Sequence, residues 1–251
     1  MTKIALITGG SRGLGKNMAL SVAQKGTSVI ITYNSKSEEA EAVVQEIKGY
    51  GQNAVALQLD VSNSKNFDAF VSAVNDVLKN EFSTDKIDYL VNNAGVGVHS
   101  SYSDTTEEQF DSMVNIHLKA AFFLTQKMLP IMNDGGAIVN VSTGLARFTL
   151  PGYDAYAVMK GGIETLTKYQ AKSLGARGIR VNVVAPGAIE TDFGGGAVRD
   201  NKDLNAFVAS QTALGRVGKP DDIGSVVAFL CSDDAKWVNA QRIEASGGMF
   251  L

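Results

Sequence analysis

The sequence predicts a single α/β domain, a doubly wound parallel sheet of seven strands with helices on both faces. Short β-branched runs alternate with longer segments of helical period along all 251 residues. The first run, Ile4 to Thr8, is almost continuously apolar, as a strand covered on both faces must be. Glycines then crowd the connection from that strand into the first helix. Right-handed crossovers between parallel strands place the helices on the two sides of the sheet.

The elements follow in order. After Ile4–Thr8, the spacing of Leu14, Met18, Val22 and Ala23 predicts a helix that Gly26 ends. Ser28 to Tyr33 reads as the second strand and Glu38 to Tyr50 as the second helix. Val55 to Leu59 and Tyr89 to Val91 repeat the strand pattern, with a helix from Phe67 to Leu78 between them. The stretch Phe82–Asp88 makes a long turn before the fourth strand. Thr105 and Glu108 have the spacing of a capping box and open the next helix. Strand Ala137–Val141, helix Tyr156–Leu174, strand Arg180–Ala185, helix Asp221–Leu230 and strand Arg242–Ala245 complete the alternation. A loop-rich stretch from about Thr191 to Val217, carrying Gly194-Gly195-Gly196, interrupts it. We expect that stretch to be mobile and to serve as a substrate lid.

Composition narrows the function. With 23 basic and 26 acidic residues the net charge is -3, without the basic footprint of a nucleic-acid binder. No apolar run approaches the length of a membrane span, and the apolar start Ile4–Ile7 is too short for a signal peptide. The single Cys231 has no partner for an internal disulfide. The expectation is a cytoplasmic protein with no membrane or nucleic-acid partner.

Thr8-Gly9-Gly10-Ser11-Arg12-Gly13-Leu14-Gly15 lies between the first strand and the first helix. Glycines there allow a tight turn and let an anion approach the helix N-terminus. Gly10-x4-Gly15-Lys16 nearly matches a P-loop, but Asn17 stands where Ser or Thr would bind magnesium. The GxGxxG spacing does not match either, because the glycines fall at 9, 13 and 15.

That TGxxxGxG spacing resembles the short-chain dehydrogenase/reductase family, and further motifs follow in the family's order. They are Asp60-Val61, Asn92-Asn93-Ala94-Gly95, Asn115, Ser142-Thr143, Tyr156-x3-Lys160, Pro186-Gly187-x-Ile189-x-Thr191 and Ser246-Gly247-Gly248-Met249. The resemblance spans essentially the whole chain, nearest to 3-oxoacyl carrier-protein reductases. It implies a Rossmann-like fold, a nicotinamide cofactor, a small carbonyl or alcohol substrate and a homotetramer built on helix packing. It also implies cofactor contacts from Gly9, Ser11, Arg12, Gly13, Leu14, Gly15, Asn34 and Ser35 at the phosphates. Asp60 and Val61 would meet the adenine, and Asn93, flanked by Ala94 and Gly95, the ribose. Ile189 would meet the nicotinamide amide, beside Pro186, Gly187 and Thr191.

The acid that usually binds the adenosine ribose of NAD, about 20 residues beyond the first glycines, is missing from Thr32-Tyr33-Asn34-Ser35-Lys36. Arg12 adds a guanidinium in the glycine turn, and Arg pairs well with phosphate oxygens. Together these favour NADP over NAD.

Tyr156 and Lys160 are four apart and share one helix face. A lysine ammonium near a phenol is expected to lower its pKa from about 10 toward the working pH. The resemblance looks for a serine 13 residues before the tyrosine, and that count lands on Thr143. Thr143 is assigned the hydroxyl role, with Ser142 as the alternative, because neighbours on a strand project to opposite sides. The resemblance further implies that Asn115 holds the water that relays protons to Lys160. Of the two histidines, His99 is expected near the substrate and His117 as a packed or interface residue; neither has metal-ligand spacing. Cys231 reads as a buried hydrophobe. The expected activity is hydride transfer between NADP and a carbonyl or alcohol carbon. The alternative is a dinucleotide-binding regulator without turnover.

Overall fold

The computed structural model describes residues 2–251 and contains one parallel seven-stranded sheet in the order β3-β2-β1-β4-β5-β6-β7. Its first half comprises β1 (Ile4–Ile7), α1 (Gly13–Gln24), β2 (Ser28–Tyr33), α2 (Ser37–Gly49), β3 (Ala54–Gln58), α3 (Phe67–Phe82) and β4 (Ile87–Asn92). Then come α4 (Glu107–Met113), α5 (Ala120–Met128), β5 (Met132–Val141), α6 (Asp154–Leu174) and β6 (Arg180–Pro186). The chain finishes with α7 (Ala197–Asp200), α8 (Lys202–Ser210), α9 (Pro220–Leu230) and β7 (Arg242–Ala245).

The period-2 alternation of each strand divides the core in two. Ala5, Ile7, Val29 and Ile31 point to one face, where α1, α2 and α9 supply Met18, Val22, Val43, Ile223 and Val227. Ile4, Leu6, Ile30 and Leu90 point to the other, against Phe67 and Leu78 of α3 and Leu124 of α5. Each such fully buried side chain contributes about 1.5–3 kcal/mol from desolvation. Continuous apolar strands follow from this coverage on both faces.

Three expectations need correction. The capping box before α4 is formed by Thr106 and Gln109, one residue later than Thr105 and Glu108. Thr105 instead donates its hydroxyl to the Ser101 carbonyl at 2.8 Å, inside the preceding turn. The stretch 191–217 is not loop throughout, since it holds α7 and α8. Asn201 caps α8 by accepting from the amides of Asp203 and Leu204, both at 3.0 Å. Its apolar side, with Val208, packs on Val217 and Met249. Third, the helix after Thr106 is not uniform: Val114–Lys119 widens into a π turn between α4 and α5.

Among the described residues, no helix is long and apolar enough to cross a membrane. Cys231 is buried, and burial pushes its thiol up to about 12.

Candidate active site

The strand order reverses between β1 and β4, so the loops leaving their C-terminal ends diverge and open a crevice. Thr8, at the end of β1, stitches that crevice together. Its hydroxyl accepts from the amides of Asn93 and Ala94, both at 2.9 Å. The Asn93 side chain donates to the carbonyls of Thr8 (2.8 Å) and Gly9 (3.2 Å). Asn93, expected at a ribose, thus spends its amide nitrogen on the glycine turn.

Gly9 and Gly13 have φ of 66° and 56°, the left-handed region that favours glycine. At Gly15 any Cβ would run into the Gly9 carbonyl oxygen. The helix α1 then begins with Arg12 as an extended N-cap, no side-chain cap and no acid in its first turn. Uncapped amides and the positive end of the helix dipole are what a pyrophosphate needs, so the residues present fit a dinucleotide. Arg12, Asn34 and Ser35 are exposed, and Arg12 has no ion-pair partner among the described residues. Asp60 turns its carboxylate onto Ser62, accepting from the amide (2.9 Å) and hydroxyl (2.7 Å). Val61, Ala94, His117 and Lys160 border a cavity of about 20 Å³.

On the far side, Gly187 lies against Ser246, and its amide donates to Ala245 at 3.1 Å, which holds the turn after Pro186. Ile189 bridges to Gly218. Thr191 is buried near Gly13, and its hydroxyl accepts from the Phe193 amide at 3.2 Å.

The chemistry-bearing side chains meet where β5 ends. Ser142 and Thr143 follow Val141 there, and α6 returns Tyr156 and Lys160 across them. Thr143 lies beside the Tyr156 phenol and favours its charged form, while Ser142 donates to Glu164 at 2.7 Å. Lys160 is buried and donates to the Val141 carbonyl at 2.8 Å. A polar ladder holds this corner in register: Asn92 donates to Asn140 (2.8 Å), which donates to Thr167 of α6 (2.9 Å).

The electrostatics differ from expectation. Burial raises the Tyr156 phenol above its ordinary range, and the neighbouring Thr143 hydroxyl only partly offsets this. Lys160 stands 5.6 Å from the phenol ring centroid, and burial lowers its own pKa to about 7. Without a partner anion both groups drift toward neutrality, because burial penalises each charged form.

His117, two residues past Asn115 in the same π turn, joins this cluster. Residues two apart on a helical turn project to opposite sides, and in the π turn it is His117 that faces inward. Its ring meets Tyr156 edge-on at 5.1 Å and borders the same cavity as Lys160. Nε2 donates to the Val96 carbonyl at 2.7 Å, while Nδ1 is buried without a partner. Burial and the Lys160 charge hold its pKa down to about 3, so the ring is neutral. Gly95 makes room for it, since a Cβ there would come within 2.6 Å of the ring. No spacing rule pointed to His117; the sequence shows only an imidazole two residues past Asn115. His99 packs edge-on against Tyr153 at 5.0 Å and over Gly152. Phe193 covers Gly97 and leans on Tyr156 at 5.7 Å.

The chain is similar to known proteins along almost its whole length. A family model described as Enoyl-(Acyl carrier protein) reductase matches residues 9–250. The 3-oxoacyl-[acyl-carrier-protein] reductase FabG of Staphylococcus aureus (strain Mu50 / ATCC 700699) is 38% identical over 253 residues, covering 100% of this chain and 99% of the relative. Among solved structures, the promiscuous reductase LugOII, which catalyses keto-reduction at C1 in lugdunomycin biosynthesis, has a TM-score of 0.94 at 36% identity. That match covers 99% of this chain and 98% of the other. The angucycline C-6 ketoreductase LanV with bound NADP also reaches 0.94, at 35% identity, covering 99% and 95%.

Proposed function

This chain belongs to the short-chain dehydrogenase/reductase family, and on that premise we propose that it is an NADPH-dependent reductase of ketones. The observation that carries the reading is the convergence of Thr143, Tyr156 and Lys160 at the end of β5 beside an uncapped helix N-terminus. The family and the relatives described as reductases support oxidoreductase chemistry on carbonyl or alcohol groups. NADP rather than NAD is supported by Arg12, by the absence of an acid after β2 and by the NADP bound to LanV.

Glycines 9, 13 and 15, with the α1 amides, would hold the pyrophosphate, and Arg12 would meet the 2′-phosphate. Ile189 and Thr191 would lie beside the nicotinamide. When bound, the cofactor supplies the hydride. The Tyr156 phenol donates its proton to the substrate oxygen, and the Thr143 hydroxyl hydrogen-bonds the charge developing there. Lys160 would hold the nicotinamide ribose and, as an ammonium, favours the phenolate left behind. His117 fixes the Tyr156 ring from its edge. Segment 191–217 acts as the lid, with Phe193 over the substrate.

The rings of His99, Tyr153, Phe193 and Tyr156 favour a flat ring ketone over a small aliphatic one. A homo-oligomer is part of the proposal, supported by exposed Phe122 and Phe123 on α5 and Tyr169 on α6.

The test is NADPH oxidation, followed by absorbance, with aliphatic ketones, a 3-oxoacyl thioester and bicyclic aromatic ketones. Turnover of a ketone supports the reading. Cofactor binding with no turnover of any carbonyl compound favours the regulator instead.

A further inference from the structure

Two arginines and two glutamates meet behind the end of β5, outside every motif that marked the site. Glu164 of α6 accepts at Oε1 from the Ser142 hydroxyl and from Arg242 Nε, both at 2.7 Å. Arg242 of β7 also donates to Glu244 at 2.7 Å and to the Thr143 carbonyl at 3.2 Å. Glu244 in turn accepts two hydrogen bonds from Arg147, at 2.7 and 2.6 Å. Arg147 reaches on to the carbonyls of Met249 (2.7 Å) and Phe250 (3.1 Å) near the chain end.

The side chains of Arg242, Glu164 and Glu244 are only 23%, 19% and 19% exposed. Ion pairs withdrawn this far from water recover little beyond their desolvation cost, and apolar side chains of similar size would hold the fold as well. What apolar side chains would not do is grip the backbone. The network takes hold of Ser142 by its side chain and of Thr143 by its carbonyl, two consecutive residues whose hydroxyls must diverge. Thr143 is extended (φ -159°, ψ 155°) immediately before a short 3-10 turn, where its own hydroxyl also accepts from Leu145 at 3.3 Å.

We propose that Arg242 is a positioning residue: through Glu164 and the Thr143 carbonyl it sets where the Thr143 hydroxyl stands against Tyr156. The kinetic consequence rests on the reductase reading; the geometric one does not. Arg242 touches no reacting atom. Its work is to fix the rotation of the β5 end, and misplacement on the ångström scale costs up to about 10²-fold in rate.

The experiment compares wild type with Arg242→Met and with the double variant Arg242→Met/Glu164→Met. The double variant leaves no unpaired Glu164 carboxylate, so its melting temperature should recover relative to the single. Turnover of an accepted ketone should stay about tenfold or more below wild type in both, with NADPH affinity and ketone KM within about twofold. Arg242→Lys, which keeps the charge but not the fork, should recover only part of the rate. Independently of activity, the Thr143 methyl resonance, assigned through Thr143→Ser, should shift in Arg242→Met. A double variant that regains both stability and wild-type turnover would make the network purely structural and overturn the proposal. An unshifted Thr143 methyl resonance would overturn it too. If wild type reduces no ketone, the reductase reading falls, and the methyl resonance alone decides the positioning role.

Discussion

Ser142 and Thr143 are adjacent in the chain, yet their hydroxyls serve opposite sides of the β5 end. Ser142 donates to Glu164 at 2.7 Å, whereas Thr143 stands beside the Tyr156 phenol. The alternation of a strand produces this divergence, and the register of α6 decides which hydroxyl meets the tyrosine.

Thr143→Val should therefore lower turnover by about 10² to 10³ while NADPH binding is unchanged, the usual loss for one oxyanion donor. Thr143→Ser should retain activity. Ser142→Ala, which unpairs Glu164 from one donor only, should cost far less than Thr143→Val. Steady-state kinetics on the three variants checks this, and the reverse order would exchange the two roles.

Tyr156→Phe removes one oxygen and keeps the packing against His117 and Phe193. Turnover should fall to near zero, with melting temperature and NADPH affinity close to wild type. Wild-type turnover in this variant would eliminate the phenol as proton donor.

Arg12→Ala should weaken NADPH binding about tenfold or more and leave NADH binding nearly unchanged, since one charge-assisted contact to the 2′-phosphate is lost. Fluorescence titration with both cofactors measures this. Equal weakening for the two would place Arg12 elsewhere on the cofactor.

Lys160 gives the cofactor-free protein a pH signature. Its folded pKa is about 7 against an unfolded value of 10.5, so between these the unfolded chain binds more protons. Stability must then rise with pH from about 7 upward, by an amount on the order of a few kcal/mol across the full window. Cys231 and Tyr89, both raised to about 12, oppose this only above their unfolded values of 9.0 and 10.0. Denaturant midpoints from pH 7 to 9 should climb more steeply in wild type than in Lys160→Met. Parallel slopes would show that Lys160 keeps its proton in the fold.

His117→Phe keeps an aromatic edge against Tyr156 but removes both ring nitrogens. It should lower kcat several-fold, and by more than Asn115→Ala does. A larger loss in Asn115→Ala would return the supporting role to Asn115.

The seven strands and the order of helices were legible because burial on both faces writes continuous apolar runs into each strand. Tyr156 and Lys160 were legible because four-residue spacing fixes a shared helix face whatever the surroundings. The capping box was misplaced by one residue because Thr105 and Thr106 are chemically equivalent candidates, and only the hydrogen bond from Thr105 to Ser101 separates them. Helix α8 was hidden by the glycines before it. Its apolar side is stabilised by Val217 and by Met249, the latter distant in sequence.

By itself, then, the sequence determined the sheet, the glycine cradle and the tyrosine–lysine pair, all of which depend on local period, backbone freedom or short spacing. Tertiary structure alone decided that Thr143 and not Ser142 faces the phenol, and that His117 lies beside Lys160 and Tyr156. It also decided that Arg242 and Glu164, 78 residues apart, close behind the β5 end. These outcomes turn on the packing of α6 against β5 and on one widened helical turn. A rotation of one residue there exchanges the inward side chain, and no local pattern encodes that rotation.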